Sequence, residues 1–473
     1  MQQLTGIDAS FLYLETPRSP MHIGGVYIFA PPAGSEMTFA TFKRYIDSRL
    51  HLFKTFRQKV MFSPMGLGHP YWVDDEDFNL TNHLYHIALP KPAGKKELME
   101  ASAQVYARLL DRSKPLWEIT FVEGLSGMEG IPENAWAMIT KVHHAAIDGV
   151  SGAEMMAAIL NLTPQPEEIP APYPWQPEKV PNSWQLLSNN AWQMLGVPID
   201  AGKFAIDTIK NSVGTLVEAL TNVVQTPPMP FTAPSSAMNV TITSSRSFAG
   251  IELPLGNIKK IKNAVGGVTV NDVVLAICAG ALRSYWKRRG ELPYKSLVSM
   301  CPISVRTDEQ RQDLGNQVSA MLVSLATQEE DAFRRLLLIA ESSQGSKVYS
   351  KAIRANELMN FVPSTLASLG SRLYVSMRLA EMHSPFYNLV ITNVPGPPSS
   401  LYLQGSKLIT HFGTAPVLDG LGLLIVVFSY NDKLSIAITS TREIIPSAHE
   451  LEQDFEKSFA ELYEETVIKA VKR

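Results

Sequence analysis

Cysteine is nearly missing from this 473-residue chain: only Cys278 and Cys301 occur, and they do not form a C-x-x-C pair. Two such residues cannot staple so long a chain, so neither a disulfide framework nor a structural zinc site is expected. An excess of either charge is missing too, with a net charge of −3 and a pI near 6.4. Nucleic-acid binders usually carry a strong basic excess, so nucleic acid is not an expected partner. Long apolar runs are also absent. Residues 420–428 are about a strand in length, and 268–282 are interrupted by Asn271 and Asp272. Neither approaches the roughly 20 apolar residues that span a bilayer. The opening MQQLTGIDASFLYLE has no basic start followed by an apolar run, so no secretory signal is expected. The expectation is a cytoplasmic protein, peripheral at most to a membrane.

Several catalytic signatures are lacking. There is no G-x-S-x-G elbow, since Gly149-Val-Ser-Gly-Ala misses the last glycine. H-E-x-x-H, a phosphate-cradling G-x-x-x-x-G-K-S/T loop and G-x-G-x-x-G are absent as well. Covalent catalysis by a serine elbow, zinc hydrolysis and a nucleotide fold thus find no support.

What is present is a globular composition, 45% apolar and 18% charged, over a length that suggests two domains or more. Residues 164–181 hold seven prolines, which exclude a helix or a central strand there, and a second cluster spans 227–234. Between them, after a break at Pro198, Phe204, Ile206, Ile209, Val213, Leu216, Val217 and Leu220 recur at helical spacing. The chain therefore divides into an N-terminal domain (1–163), a Pro-rich and helical linker (164–238) and a C-terminal domain (239–473). The linker helix packs on the protein or lies on a lipid surface. Strands are predicted over 136–144 and 421–430, and helices over 41–50, 95–110, 152–162, 272–289 and 450–464. This order is not a regular β-α alternation, so mixed α/β (α+β) layers are expected rather than a doubly wound fold.

Residues 141–154, KVHHAAIDGVSGAE, carry the most chemistry. Strand alternation sends His143 and His144 to opposite faces, His144 with Trp136, Met138 and Val142, and His143 with Lys141. Ser151 and Glu154 have the form of a capping box, so a strand runs through an Asp148-Gly149 turn into a helix. An imidazole kept neutral near a helix N-terminus suits a general base, which nominates His144. Ordinary core histidines are the alternative. A metal site is not expected, because the two rings diverge and no ligand cluster lies nearby in sequence.

His143-His144-Ala-Ala-Ile-Asp148-Gly149 matches the HHxxxDG motif, and here the chain resembles the CoA-dependent acyltransferase superfamily, which includes chloramphenicol acetyltransferase and peptide-synthetase condensation domains. Further matches run in order along the chain: Leu4 to Glu15, Pro20-Met21-His22-Ile23-Gly24, Leu89-Pro90-Lys91-Pro92, Pro115-Leu116-Trp117-Glu118, Asn271-Asp272, Pro302 to Arg306, Asn393 to Pro397, and Pro416 to Leu423. Together they resemble the bacterial bifunctional wax ester synthase/acyl-CoA:diacylglycerol acyltransferases. The DFGWG motif of plant-type relatives is absent.

The resemblance implies two chloramphenicol-acetyltransferase-like domains with the active site in a channel between them. It implies acyl-CoA as co-substrate with no bound cofactor, and a fatty alcohol or diacylglycerol as acceptor. It further implies peripheral contact with the inner membrane or lipid inclusions. His144 would be the base, His143, Asp148, Gly149 and Asp272 structural support, and Arg306 the partner of Asp148. Asn271 would donate to the oxyanion, or else merely N-cap the helix that follows. Glu15, His22 and Trp117 are candidates for the substrate side, Trp117 more as a packing residue. Arg283, Lys287, Arg288 and Arg289 either complement a helix dipole or meet the CoA phosphates. Two other readings stay open: a condensation-type enzyme taking amine or carrier-protein substrates, and a non-enzymatic lipid-droplet-binding relative.

Overall fold

The computed structural model describes residues 2–63, 68–147, 155–156, 158–165, 169–171, 173–180, 228, 231–304, 318–350 and 384–469. In chain order the first part runs β1 (Gln2–Gln3), α1 (Gly6–Leu14), β2 (His22–Ala30), α2 (Phe39–Arg49), β3 (Gln58–Met61), β4 (Tyr71–Asp74), β5 (Leu84–Ala88), α3 (Lys95–Ala107), β6 (Trp117–Glu123) and β7 (Trp136–His143). The later part runs β8 (Arg246–Pro254), α4 (Leu255–Val265), α5 (Val270–Arg289), β9 (Val298–Ser304), β10 (Val318–Ser324), α6 (Ala332–Ser350), β11 (Leu389–Pro395), β12 (Tyr402–Leu403), β13 (Ser406–Thr414), β14 (Leu423–Tyr430), β15 (Lys433–Thr441) and α7 (Ala448–Tyr463).

The described residues group into two units. One holds those before residue 181 together with Ser399–Pro416, and the other holds the remainder from residue 228 onward. Each is built on a six-stranded mixed sheet, in accord with the mixed α/β layers expected. In the first unit the order is β12-β13-β2-β7-β6-β5, antiparallel except for the β5–β6 pair. A small antiparallel sheet, β1-β4-β3, belongs to the same unit. The second unit has the order β10-β9-β11-β14-β15-β8, with β11 parallel to both neighbours.

The division at residue 239 leaves one thing out. Residues 402–414, placed by sequence in the C-terminal domain, form β12 and β13 of the first unit's sheet. β13 runs along β2 from Gly24↔Thr414 to Ala30↔Lys407. Without it, β2 would present a row of unpaired amides and carbonyls at the sheet edge. The predicted linker helix over 204–220 and its break at Pro198 lie outside the described residues, as do 152–154 and 157 of the helix predicted over 152–162; 155–156 and 158–159 of that helix are helical.

The sheet core of the first unit is aromatic. Trp136 stacks on Phe29 (4.5 Å) and Phe121 (5.1 Å), and its Nε1 donates to Ser406 Oγ at 3.2 Å, which ties β7 to β13. Every residue of β7 is buried, polar ones included. Lys141 is accommodated by an ion pair with Glu118 at 2.7 Å and by donating to the Arg108 carbonyl at 3.1 Å.

In the second unit α5 starts with a capping box. Thr269 Oγ1 accepts the Asp272 amide (3.2 Å) while Asp272 Oδ2 accepts the Thr269 amide (2.8 Å). It stops at Gly290, whose φ of 70° suits a residue without Cβ. No single described helix is long and apolar enough to cross a membrane. The pair α4 and α5 passes by length and composition, but across a 104° bend.

β2 and β7 approach so closely at Gly24 that a Cβ there would lie 1.9 Å from the Thr140 carbonyl oxygen. Gly24→Ala is therefore expected to lower stability by about 1–3 kcal/mol, as overpacking does. An unchanged urea midpoint would show that the two strands can separate freely at this position.

Candidate active site

β7 ends at His143, and His144 opens a tight 3-10 turn that runs to Ala146. Strand alternation therefore stops one residue short of His144, and the predicted shared face with Val142 does not extend to it. The turn is built by His143, whose Nδ1 accepts the Ala145 amide at 3.0 Å. Because Nδ1 accepts, the ring N–H is on Nε2, which lies 3.4 Å from Glu15 Oε1. His143 is wholly buried; its Nδ1 is spent on the turn, while Nε2 faces the Glu15 carboxylate without a hydrogen bond.

His144 is held differently. Its main-chain N–H donates to the Met21 carbonyl at 2.7 Å, and its ring stacks on Phe11 with centroids 3.8 Å apart and planes 13° from parallel. Nδ1 is buried and meets no hydrogen-bond partner beyond its own main-chain carbonyl, whereas the residue as a whole keeps some solvent exposure. Burial pushes the imidazole down to about 4; its own carbonyl opposes this and His143 adds to it. Burial, and not the helix N-terminus expected from the sequence, is what keeps the ring neutral. Phe11 carries no signal of its own in the sequence, although it falls in a matched opening segment.

Glu15, nominated for the substrate side, faces inward. Its side chain is 3% exposed and accepts from the Met21 amide (3.1 Å) and Arg112 Nε (2.9 Å), with His143 beside it. Burial alone would raise this carboxyl, yet His143, the Met21 amide and Arg112 together hold it down at about 2. Arg112 also donates to the Leu12 carbonyl at 2.7 Å. His22 is buried in the same region and is pushed down to about 3 by burial first and the Lys141 charge second. Trp117 is buried between His83 (4.5 Å) and Phe56 (5.1 Å), and its Nε1 donates to the Phe56 carbonyl at 3.0 Å. As placed, Glu15 and Trp117 spend their polar atoms on protein partners rather than presenting them to a substrate.

In the second unit Asn271 is the second residue of α5 and not its cap, because the Thr269/Asp272 box starts the helix earlier. The pattern T-x-x-D was available in the sequence to show this. Asn271 Oδ1 accepts from Asn393 Nδ2 at 3.2 Å, which commits the oxygen and leaves the Asn271 amide N–H groups as donors. Both asparagines are partly exposed. Asp272 is buried, with Oδ2 in the box.

The four cations near the end of α5 all have carboxylate partners. Arg283 and Lys287 meet Glu330, Arg288 meets both oxygens of Asp454, and Arg289 meets Glu291. Asp148, Gly149, Arg306 and the predicted Ser151/Glu154 box lie outside the described residues. Among the described residues no group of three His, Cys, Asp or Glu side chains could hold a metal ion.

Comparison with known proteins places this chain in a family. Residues 4–274 match the model of the wax ester synthase/diacylglycerol acyltransferase catalytic domain, and residues 314–463 match that of the family's C-terminal domain. The chain is 32% identical to the O-acyltransferase WSD of Acinetobacter baylyi, covering 99% of this chain and 98% of that protein. It is 33% identical to a probable diacylglycerol O-acyltransferase of Mycobacterium tuberculosis, covering 96% and 97%. The solved wax ester synthase/diacylglycerol acyltransferase of Marinobacter aquaeolei VT8 superposes with a TM-score of 0.69 at 29% identity, over 97% of this chain and 98% of that one. A condensation domain of the CDA synthetase shares the fold alone, at a TM-score of 0.55, 13% identity and 98% and 96% coverage. The chain belongs to the wax ester synthase/diacylglycerol acyltransferase family and is, like it, an acyltransferase.

Proposed function

We propose that the protein moves a long-chain acyl group from acyl-CoA to the hydroxyl of a fatty alcohol or of diacylglycerol, with His144 as general base. The observation that carries this is the state of His144: neutral, stacked on Phe11, and with Nδ1 closed off against its own carbonyl. A hydroxyl is far too weak an acid to ionise at neutral pH, so its proton must leave as the oxygen attacks the thioester carbonyl. With Nδ1 closed off, Nε2 is the nitrogen that takes it. The tetrahedral oxyanion needs a donor, and the Asn271 amide, freed by the Thr269 cap and aligned by Asn393, supplies one. Collapse of the intermediate breaks the C–S bond, and the CoA thiolate recovers the proton from His144. Glu15 and Arg112 act behind this as positioning residues. The acceptors are insoluble lipids, so the same proposal has a cytoplasmic protein working in peripheral contact with a membrane or lipid inclusion.

The test is release of CoA thiol from palmitoyl-CoA with hexadecanol or dioleoylglycerol as acceptor. His144→Ala should lower turnover by about 10²–10⁴, the usual worth of a general base. Near wild-type turnover in a folded variant would sink the assignment, and the better acceptor of the two names the main product.

Asn271→Ala should lower kcat by about 10²–10³ with little change in stability, as loss of an oxyanion donor does. If the loss appears instead in the urea midpoint, the residue is structural.

The pH dependence has a definite sign. An ordinary imidazole would give an acidic limb near 6.5, but His144 is held at about 4, so kcat/KM should stay level down to roughly pH 5 before falling. The linked stability runs the same way. Unfolded chain takes up protons below 6.5 that folded His144 and His411 (each about 4) refuse, so their contribution is complete above 6.5 and is lost as pH falls towards 4. Urea midpoints that do not drop over that interval would contradict the burial of these rings.

Arg112→Gln removes one partner of buried Glu15. Arg112 is itself about a third exposed, so the stability loss should be at most about 3 kcal/mol. A fall in kcat exceeding any rise in acceptor KM is expected, because the His144 turn loses its brace; unchanged kinetics would separate the two.

A further inference from the structure

A general base must keep its accepting nitrogen pointed in one direction, and the backbone of His144 does only part of this. The His144 N–H is tied to the Met21 carbonyl at 2.7 Å, and the Met21 N–H in turn donates to Glu15 Oε1 at 3.1 Å. These bonds place the Cα and leave the ring free to turn about its side-chain torsions. Nδ1 meets only the residue's own carbonyl, so among the described residues no other side chain or amide grips the imidazole by a hydrogen bond.

What meets the ring is Phe11. The two planes lie 13° from parallel with centroids 3.8 Å apart, nearer than the roughly 4.5–7 Å usual for aromatic pairs. At that separation the rings are in van der Waals contact and no water fits between them. Phe11 is itself anchored. Its carbonyl accepts the Glu15 N–H at 3.1 Å, and its side chain packs against a buried cluster that includes Leu12, Leu116 and Ala145. Ala145 is the next residue in the His144 turn, so the stacking ring and the turn are built on one another.

We propose that Phe11 is a positioning residue for the base: its ring fixes the plane of the His144 imidazole and keeps water from one face. The kinetic consequence rests on His144 being the base; the effect on the ring does not. The two duties need different things. Fixing the plane needs a flat face, whereas excluding water needs only bulk. A phenyl face by itself favours an imidazolium through its negative π cloud. The ring is held at about 4 all the same, so desolvation, which disfavours the charged form, outweighs that attraction. Neighbouring charges do not account for the depression. Asp8 on α1 accepts from the Thr5 hydroxyl at 2.6 Å, Glu15 is engaged by Arg112 and the Met21 amide, and Lys141 on β7 is paired with Glu118. His22 on β2 is kept neutral by its own burial, and His143 is the one neighbouring group that adds to the depression of His144.

Three substitutions separate the duties. Each is read by CoA release from palmitoyl-CoA with hexadecanol across acid and neutral pH. Each is also read by the NMR titration of the His144 Cε1–H, assigned as the signal missing from His144→Ala. Phe11→Leu keeps bulk and loses the flat face. Its kcat should fall about ten- to hundredfold, as misplacement of a reacting group costs, with KM and the titration midpoint little changed. Phe11→Ala loses both, so kcat should fall at least as far, and the midpoint and the acid limb of kcat/KM should climb together from about 4 towards 6.5. Phe11→Tyr keeps both, at a half-buried position, and should recover most of the turnover that Phe11→Leu loses. A merely structural role would lower the urea midpoint and scale turnover alike at every pH. The proposal is overturned if Phe11→Leu keeps wild-type kcat, or if Phe11→Ala leaves the titration of His144 where it was. Undiminished turnover in His144→Ala would instead remove the base itself, a result that the titration of Phe11→Ala keeps separate from failure of the stack.

Discussion

A carboxylate buried to 3% exposure must be surrounded by donors, and the first unit arranges its chain around that demand at Glu15. Glu15 gathers the Met21 amide ahead of β2, Arg112 ahead of β6 and His143 at the end of β7. Its own N–H closes α1 by donating to the Phe11 carbonyl at 3.1 Å. One residue thus fixes where α1 stops and where β7 stops. Phe11 is placed one helical turn back from Glu15, which is where its ring lies over His144. Removing a partner would leave a charge with no solvent to relax it, costing several kcal/mol where burial is complete. The geometry of the His144 turn is therefore inherited from an ion-pair network and not from the turn sequence alone.

The same end of the sheet shows how a fully buried strand can carry polar residues. Lys141 has Glu118 and two main-chain carbonyls, and burial still lowers its pKa against the opposing pull of Glu118. His143 has Glu15 and the Ala145 amide. Thr140 Oγ1 accepts the Gly25 amide at 3.1 Å. Satisfied in this way, these groups make β7 rigid up to its last residue, and rigidity there is what a base aimed at one hydroxyl requires.

Much of this was legible in the sequence, and the parts that were not share a cause. The helix expected over 272–289 is α5, Val270–Arg289, and the strand expected over 421–430 is β14, Leu423–Tyr430, because periodicity and caps are local signals. The histidine pair was visible as a motif, and the ordinary exposed appearance of Glu15 in sequence gave no warning of its burial. The Phe11–His144 stack and the Arg112–Glu15 pair join residues about a hundred or more positions apart, where spacing says nothing. The same holds for β13, which leaves the C-terminal region to pair with β2. No strand is predicted over 406–414, and local propensity cannot name a strand's neighbour.

The two motif pairs divide their labour in the same manner. In His143-His144 the first ring takes the structural duty, holding the Ala145 amide and facing Glu15, and this releases the second from any partner but its own carbonyl. In Asn271-Asp272 the second side chain takes it, closing the box with Thr269, and this releases the first from capping. A polar group becomes available for chemistry when a neighbour has already met the backbone's demand at that point. The same reasoning sorts the cations: Arg288, bound at both nitrogens to Asp454, is spent on the fold.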